Sequence, residues 1–227
     1  MTKLWDTPSG TALIGHSHAL SRRVLLKAAG TGLLLGAGLA AFPAAGSEPE
    51  EKMLFNDPAV PVGGNKKGSL TIVTFFDYNC PFCRRSSMPL DEVVREDRDI
   101  RLLYKDWPIL TEASTTGALL ALAAHRQDRY EAAHNALMAL ENHADEAQMT
   151  KAVRGSGVDM ARLDADLERA RSDIEALLRR NNDQAELLGL RGTPAYIVGP
   201  FLVTSALEEA GFRQVVKDAR ERLAQEQ

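Results

Sequence analysis

The stretch LTIVTFFDYNCPFCRR, residues 70–85, contains both cysteines of this chain of 227 residues. Its first part, Leu70–Phe76, is rich in β-branched and aromatic residues, which is typical of a buried strand. The chain then turns at Asp77–Asn79, and Pro81 suits the first position of a helix, where its missing N–H removes no hydrogen bond. The stretch therefore predicts a strand, a turn and a helix that begins near Cys80.

The spacing of the two cysteines favours a reactive pair over a structural one. A sulfur of Cys80 at the start of the helix would face unpaired backbone N–H groups and the positive end of the helix dipole, which stabilise a thiolate. Cys83 lies one turn further on, so one thiol can react and the other can resolve a mixed disulfide. A structural disulfide with so small a loop would constrain the unfolded chain little, and zinc needs more ligands than these two cysteines supply.

Apolar periodicity predicts the remaining elements, and a polar, Gly/Pro-rich lead-in at residues 47–69 is expected to be a loop with one short strand. The predicted elements are a second strand at residues 100–105, a block of helices at 111–190, two strands of a hairpin at 195–199 and 200–203, and a final amphipathic helix at 205–224. This order predicts an α/β protein with a thioredoxin-like fold and an inserted helical domain, together spanning residues 70–227.

The first 46 residues differ from the rest of the chain. Arg22-Arg23 precedes an apolar run, which is followed by small residues suited to cleavage by a signal peptidase. The run is shorter than the roughly 20 residues that span a bilayer. Paired arginines at this spacing resemble a twin-arginine (Tat) export signal, with a Sec signal or a retained membrane anchor as alternatives. We therefore expect an exported, periplasmic protein, in a compartment where disulfides persist.

Charge and histidine content argue against two other classes of function. The net charge is −4 and no basic face is visible, so nucleic-acid binding is not expected. His125, His134 and His143 fall in the helical block, where we interpret them as surface or packing residues and not as metal ligands.

A second informative dipeptide is Thr193-Pro194, directly before a predicted strand. Proline cannot donate a hydrogen bond to a strand ladder, and a trans proline that starts the strand is the common case, because only about 5–6% of X-Pro bonds are cis. From the residues alone, either geometry is possible here.

The region after the leader resembles the DsbA family of exported thiol–disulfide oxidoreductases, near its Com1-like branch. The matching stretches are NDPAVPVGGNKKGSLTIVTFFDYNCPFCRR, YKDWPIL, YEAAHNALM and LGLRGTPAYIVG. The resemblance implies that Cys80 is an exposed nucleophile and Cys83 its buried partner. It also implies that Pro194 is cis and packs beside them, that Thr193 offers its backbone to an extended substrate peptide, and that the Pro81-Phe82 dipeptide shapes the site.

Two positions depart from the family's pattern. Many relatives carry a glutamate as buried proton acceptor where this chain has Thr74, and a hydroxyl cannot replace a carboxylate as a base. We expect proton transfer through water or with help from Asp77, for which turn formation or capping is the alternative role. Strongly oxidising members often have histidine where this chain has Phe82, so a weaker oxidant is predicted.

Together these features predict a disulfide oxidoreductase that works mainly as an oxidase on cysteine-containing exported proteins. No metal and no cofactor are expected beyond the redox-active Cys80–Cys83 disulfide, and the resemblance implies a membrane partner that reoxidises it. A disulfide reductase or isomerase is the alternative within the enzyme class. A non-catalytic periplasmic chaperone that holds peptides in the same groove is the alternative outside it.

Overall fold

The structure is a computed structural model and describes residues 48–226. In this part of the chain the elements are α1 Glu48–Asn56, β1 Val62–Gly64, β2 Leu70–Phe76, α2 Pro81–Asp97, β3 Ile100–Asp106, α3 Glu112–His125, α4 Tyr130–Met138, α5 Glu146–Gly155, α6 Met160–Leu187, β4 Ala195–Val198, β5 Phe201–Val203 and α7 Glu209–Gln225. The predicted order of strands and helices from residue 70 onward is confirmed. The predicted export signal lies outside the described residues.

The lead-in requires one correction, because residues 48–56 were expected to be a loop and form α1. The glycines and prolines that predicted a loop all follow residue 56, apart from Pro49, which sits in the first turn, where proline is tolerated. The helix itself is rich in Glu, Lys, Met and Leu, which are good helix formers. Leu54 is buried and anchors it to the core. The short strand expected in the lead-in is confirmed as β1.

The five strands form one sheet in the order β1-β3-β2-β4-β5. The central strand β2 pairs parallel with β3 and antiparallel with β4, and β4 forms the predicted antiparallel hairpin with β5. Since β2 is buried over nearly its whole length, the turn that follows it emerges from the middle of the sheet. Thr193-Pro194 directly precedes β4, the neighbour of β2, and so approaches the same edge.

Helix α2 covers the face of the sheet that carries Thr74, Tyr104 and Tyr196, which are paired across three adjacent strands. Its Ser86 hydroxyl lies 2.6 Å from the Tyr196 hydroxyl, which fixes the helix over β4. Helix α6 covers the opposite face, where the Asn181 side chain donates to the Asp106 carbonyl at the end of β3. The sheet is therefore enclosed between helices, as the buried pattern of β2 requires.

The helical block consists of α3, α4, α5 and α6, with the other three packed around α3. Small residues make this close packing possible: Ala121, Ala123 and Ala124 are completely buried. A Cβ atom on Gly117 would lie 2.7 Å from the Met149 sulfur and 3.1 Å from a ring carbon of Tyr78. Glycine at this position therefore allows α3 to approach both α5 and the turn after β2.

Among residues 48–226, no helix combines the length and the apolar character needed to cross a bilayer.

Candidate active site

Asp77 holds the turn between β2 and α2 in place through four hydrogen bonds. Its Oδ1 accepts from the Asn79 backbone N–H and the Ser114 hydroxyl, each at 2.7 Å. Its Oδ2 accepts from the backbone N–H groups of Ile109 and Leu110 at 2.8 and 2.9 Å. Because both oxygens are engaged in this way and the residue is buried, the contacts favour the turn-forming role of Asp77. Its part in proton transfer stays a prediction.

Asn79 joins the same turn to the helical block. Its side-chain amide donates to the Thr111 hydroxyl at 2.8 Å and to the Ala144 carbonyl at 3.0 Å, and the Ala144 N–H donates back to Asn79 Oδ1 at 2.9 Å. Arg84 adds bonds to the Tyr78 carbonyl at 2.7 Å and to Asn79 Oδ1 at 3.0 Å. The sequence analysis placed Asn79 only in the turn and did not identify Arg84, because the partners of Asn79 in the helical block are distant in the chain.

Cys80 occupies the N-cap of α2, where its sulfur accepts a hydrogen bond from the Cys83 backbone N–H at 3.3 Å. As a thiol it also donates to the Thr193 carbonyl at 3.3 Å. The pKa of Cys80 is lowered to about 6, first by a hydrogen bond from the Cys83 side chain and then by the Thr193 side chain and the backbone N–H groups of Cys83 and Phe82, against the opposing effect of burial. The backbone N–H groups at the start of α2, which were predicted to stabilise a thiolate, therefore account for part of the lowering of this pKa.

Burial and the neighbouring sulfur of Cys80 raise the pKa of Cys83 well above its ordinary value. Near neutral pH the pair therefore consists of a thiolate at Cys80 and a thiol at Cys83. Both cysteines are free.

The expectation of an exposed nucleophile is wrong in one respect, because Cys80 and Cys83 are each only 3% exposed. The Thr193-Pro194 loop accounts for this, since the Thr193 carbonyl lies against the Cys80 sulfur. The peptide bond between Thr193 and Pro194 is cis, as the resemblance implied. The site thus brings together segments more than a hundred residues apart.

Apolar side chains border the site on its outer surface. Phe82 is 52% exposed, and the Arg85 guanidinium lies 5.0 Å from the centroid of its ring. Ile109 and Leu110, whose backbones bind Asp77, are also exposed. Pro81 is exposed at the first position of α2, as predicted.

Thr74 lies on the inner side of the pair, in a small pocket that it lines together with Cys83. Asp91 and His134 line the same pocket, and sequence reasoning had not connected either of them with the cysteines. His134 is buried, and its Nδ1 lies 3.1 Å from the Tyr78 hydroxyl, in agreement with its interpretation as a packing residue. Among the described residues, no group of three or more His, Cys, Asp or Glu side chains is arranged to hold a metal ion.

Residues 71–213 match the family described as DSBA-like thioredoxin domains. A thioredoxin-like oxidoreductase from Silicibacter pomeroyi is 40% identical in sequence, with a TM-score of 0.70 over 75% of this chain and 97% of that chain. The catalytic domain of Proteus mirabilis ScsC is 27% identical, with a TM-score of 0.69 over 75% and 94% of the two chains. The thiol-disulfide exchange protein α-DsbA2 from Wolbachia pipientis is 25% identical, with a TM-score of 0.70 over 75% and 91%.

Curated relatives include a Na(+)/H(+) antiporter NhaA 1 from Mycobacterium sp. (strain KMS), which is 25% identical over 154 residues. That alignment covers 66% of this chain and 24% of the antiporter, so the chain spans about a quarter of the length of the curated relatives it matches.

Proposed function

Because this chain belongs to the family of DSBA-like thioredoxin domains and is a thiol–disulfide oxidoreductase, we propose that Cys80 and Cys83 form its redox pair. In this proposal the pair works mainly as an oxidase, which takes electrons from the cysteine thiols of exported proteins and leaves those cysteines joined. No cofactor beyond the Cys80–Cys83 disulfide takes part.

The observation that carries the proposal is the opposite perturbation of the two thiols. The pKa of Cys80 is lowered to about 6, whereas burial raises the pKa of Cys83. Strongly perturbed neighbouring groups are a mark of functional sites, and an exchange pair needs one sulfur that reacts near neutral pH and one that resolves.

The reaction follows from this asymmetry. A substrate thiolate attacks the sulfur of Cys80, the Cys80–Cys83 bond breaks, and a mixed disulfide with Cys80 forms. A second substrate thiolate then attacks the substrate sulfur of that mixed disulfide, and Cys80 leaves as a thiolate. Because a sulfur with a lower pKa leaves faster, the lowered pKa of Cys80 favours this second step and thus the oxidase direction.

The substrate is proposed to be an extended peptide segment that lies beside Thr193 and adds backbone hydrogen bonds in the manner of a strand. The exposed side chains of Phe82, Ile109 and Leu110 support this proposal, since they offer apolar contacts to residues that flank a substrate cysteine. Phe82 supplies only its backbone N–H to the Cys80 sulfur, so the protein is expected to be a weaker oxidant than relatives with histidine at this position.

Export to the periplasm is also part of the proposal. One similar solved structure is that of a periplasmic thioredoxin-like protein from Salmonella enterica serovar Typhimurium, 29% identical over 76% of this chain and 97% of that chain, with a TM-score of 0.65. The Arg22-Arg23 leader is consistent with export through the twin-arginine route. Reoxidation of the dithiol is proposed to require a membrane redox partner.

The reduction potential of the pair, measured in glutathione buffers, tests the direction of the reaction. A value well above about −180 mV would support an oxidase, whereas a value near about −230 mV or below would favour a reductase or isomerase kept reduced by a donor.

Variants of the two cysteines test whether Cys80 and Cys83 form the redox pair. Cys83→Ala, first converted to a mixed disulfide of Cys80 with glutathione, should exchange the glutathione for substrate thiols and trap substrate proteins on Cys80, and the double variant Cys80→Ser, Cys83→Ala should trap none. A Cys80→Ser variant with full biological activity would support the peptide-holding chaperone instead.

A further inference from the structure

The small pocket behind Cys83 has room for one water molecule. Its free space is about 20 Å³, which exceeds the roughly 10–15 Å³ that one water molecule requires. The polar side chains that line it are those of Thr74, Cys83, Ser87, Asp91, Tyr104, His134 and Tyr196. A buried site of this size with several polar partners meets the conditions for an ordered water.

The positions of Cys83 and Asp91 on α2 decide whether a proton can pass between their side chains directly or only through intermediate groups. Eight residues of helix rise about 12 Å, so the carboxylate cannot contact the sulfur directly. Helical side chains lean toward the helix N-terminus, which directs Asp91 back toward the turn of Cys83. The Thr74 hydroxyl, which can both donate and accept a hydrogen bond, lines the same pocket. Ser87, which lies four residues from both Cys83 and Asp91 on α2, also lines this pocket, and these hydroxyls together with a pocket water offer a route for the proton.

The other titratable groups around Asp91 do not compete with it near neutral pH. On α4, burial lowers the pKa of His134 to about 3, so its ring is neutral there. Burial also raises the pKa of Tyr104 on β3 and of Tyr196 on β4, so both phenols remain protonated. Burial, and then the charge of Glu131 on α4, raise the pKa of Asp91 to about 6.

We propose that Asp91 accepts the proton of Cys83 and returns it, through water held in this pocket. The proposal rests on the proposed role of Cys80 and Cys83 as the redox pair. Asp91 acts here through the water and the pocket, and does not itself contact the reacting sulfur atoms.

The proton balance is complete in both directions. When a substrate thiolate attacks Cys80, the Cys80–Cys83 bond breaks, its electron pair goes to the Cys83 sulfur, and protonated Asp91 supplies the proton that makes Cys83 a thiol. In the reverse step, Asp91 carboxylate takes that proton while the Cys83 sulfur attacks Cys80 in the mixed disulfide, and the substrate sulfur leaves as a thiolate. Each step therefore needs no reactant other than the substrate.

The test follows the resolution step in the full chain. Oxidised glutathione is mixed with the reduced protein at concentrations at which formation of the mixed disulfide on Cys80, whose own pKa is about 6, is faster than its resolution. The release of the second glutathione by Cys83 is then timed from pH 4.5 to 8.5. The wild-type rate constant should rise through an inflection near pH 6. Asp91→Asn should lose the inflection and be slower by at least about tenfold at pH 7, since general bases typically contribute more than that.

Three further variants distinguish the Asp91 carboxylate from effects on the fold and from other carboxylates. Asp91→Glu keeps a carboxylate and should retain an inflection. Glu92→Gln removes the neighbouring carboxylate, which is paired with Arg95 on the outside of α2, and should behave as wild type. Asp106→Asn examines a second carboxyl whose pKa is raised by burial, to about 7, and should also retain the inflection.

The outcomes are distinct. If no mixed disulfide forms on Cys80, the proposed function itself fails. If it forms and resolves without an inflection in the wild type, if Asp91→Asn keeps the inflection, or if only Asp106→Asn loses it, the role of Asp91 is overturned. Should Asp91→Asn not fold, the infrared difference spectrum between the disulfide and dithiol forms of the wild type decides. An aspartic carboxyl band that changes at pH 6 in both the wild type and Asp106→Asn supports the proposal, and a band that is unchanged, or that Asp106→Asn removes, refutes it.

Discussion

Replacing Cys83 with alanine should raise the pKa of Cys80 substantially. The hydrogen bond from the Cys83 side chain is the largest of the interactions that lower this pKa from its ordinary value of 9.0 to about 6. Alanine removes that donor and leaves only the backbone N–H groups and the Thr193 side chain to stabilise the thiolate. We expect the pKa of Cys80 in this variant to rise by at least about one unit, or about 1.4 kcal/mol.

The same pKa determines how strongly the dithiol form is favoured. A fall from 9.0 to about 6 corresponds to at most about 4 kcal/mol. Because an acid with a lowered pKa contributes stability only above that pKa, the contribution is absent below about pH 6 and complete above about pH 9. At pH 7 it amounts to about 1.4 kcal/mol, or about 30 mV toward a more oxidising pair.

The assay is the thiolate absorbance at 240 nm or the rate of alkylation by iodoacetamide, followed from pH 4 to 10. Cys83→Ser is the matched control, since its hydroxyl can still donate to the Cys80 sulfur and its pKa should lie between those of the wild type and Cys83→Ala. A Cys83→Ala protein whose Cys80 titrates within a few tenths of a pH unit of the wild type would refute the reasoning.

Three further substitutions test the surroundings of the pair. Asn79→Ala should lower the free energy of unfolding by about 2–4 kcal/mol in urea titrations, because buried backbone groups lose their partners. As a control, Asn135→Ala at an exposed position should change this free energy by less than about 0.5 kcal/mol. Gly117→Ala should lower it by about 1–3 kcal/mol, since the new Cβ would meet the Met149 sulfur at 2.7 Å, and an unchanged melting temperature would contradict this. Phe82→His should raise the reduction potential, because an imidazolium stabilises the nearby thiolate; an equal or lower potential would argue against that expectation.

Local patterns were sufficient to predict the strand, the turn and the helix that carry the cysteines. The β-branched and aromatic run predicted β2 with the bounds that the structure has, and Pro81 predicted the start of α2. The cis geometry before Pro194 came from the resemblance and not from the residues, since the sequence alone left both isomers open.

What escaped prediction depends on contacts between distant segments. The burial of Cys80 follows from a loop more than a hundred residues away, and the pocket joins Asp91 to strands and a helix that its own periodicity cannot identify. His134 was interpreted as a surface or packing residue, but its partner Tyr78 lies 56 residues earlier in the chain. None of these three contacts leaves a signal in a single sequence.

The hydrogen bonds of Asn79, Asp77 and Cys80 reach forward to residues 109–114, 144 and 193. During synthesis, a chain that has not yet reached Thr193 therefore lacks both the loop that buries Cys80 and one of the groups that lower its pKa. The environment of Cys80 is in this way complete only after most of the described residues have been made.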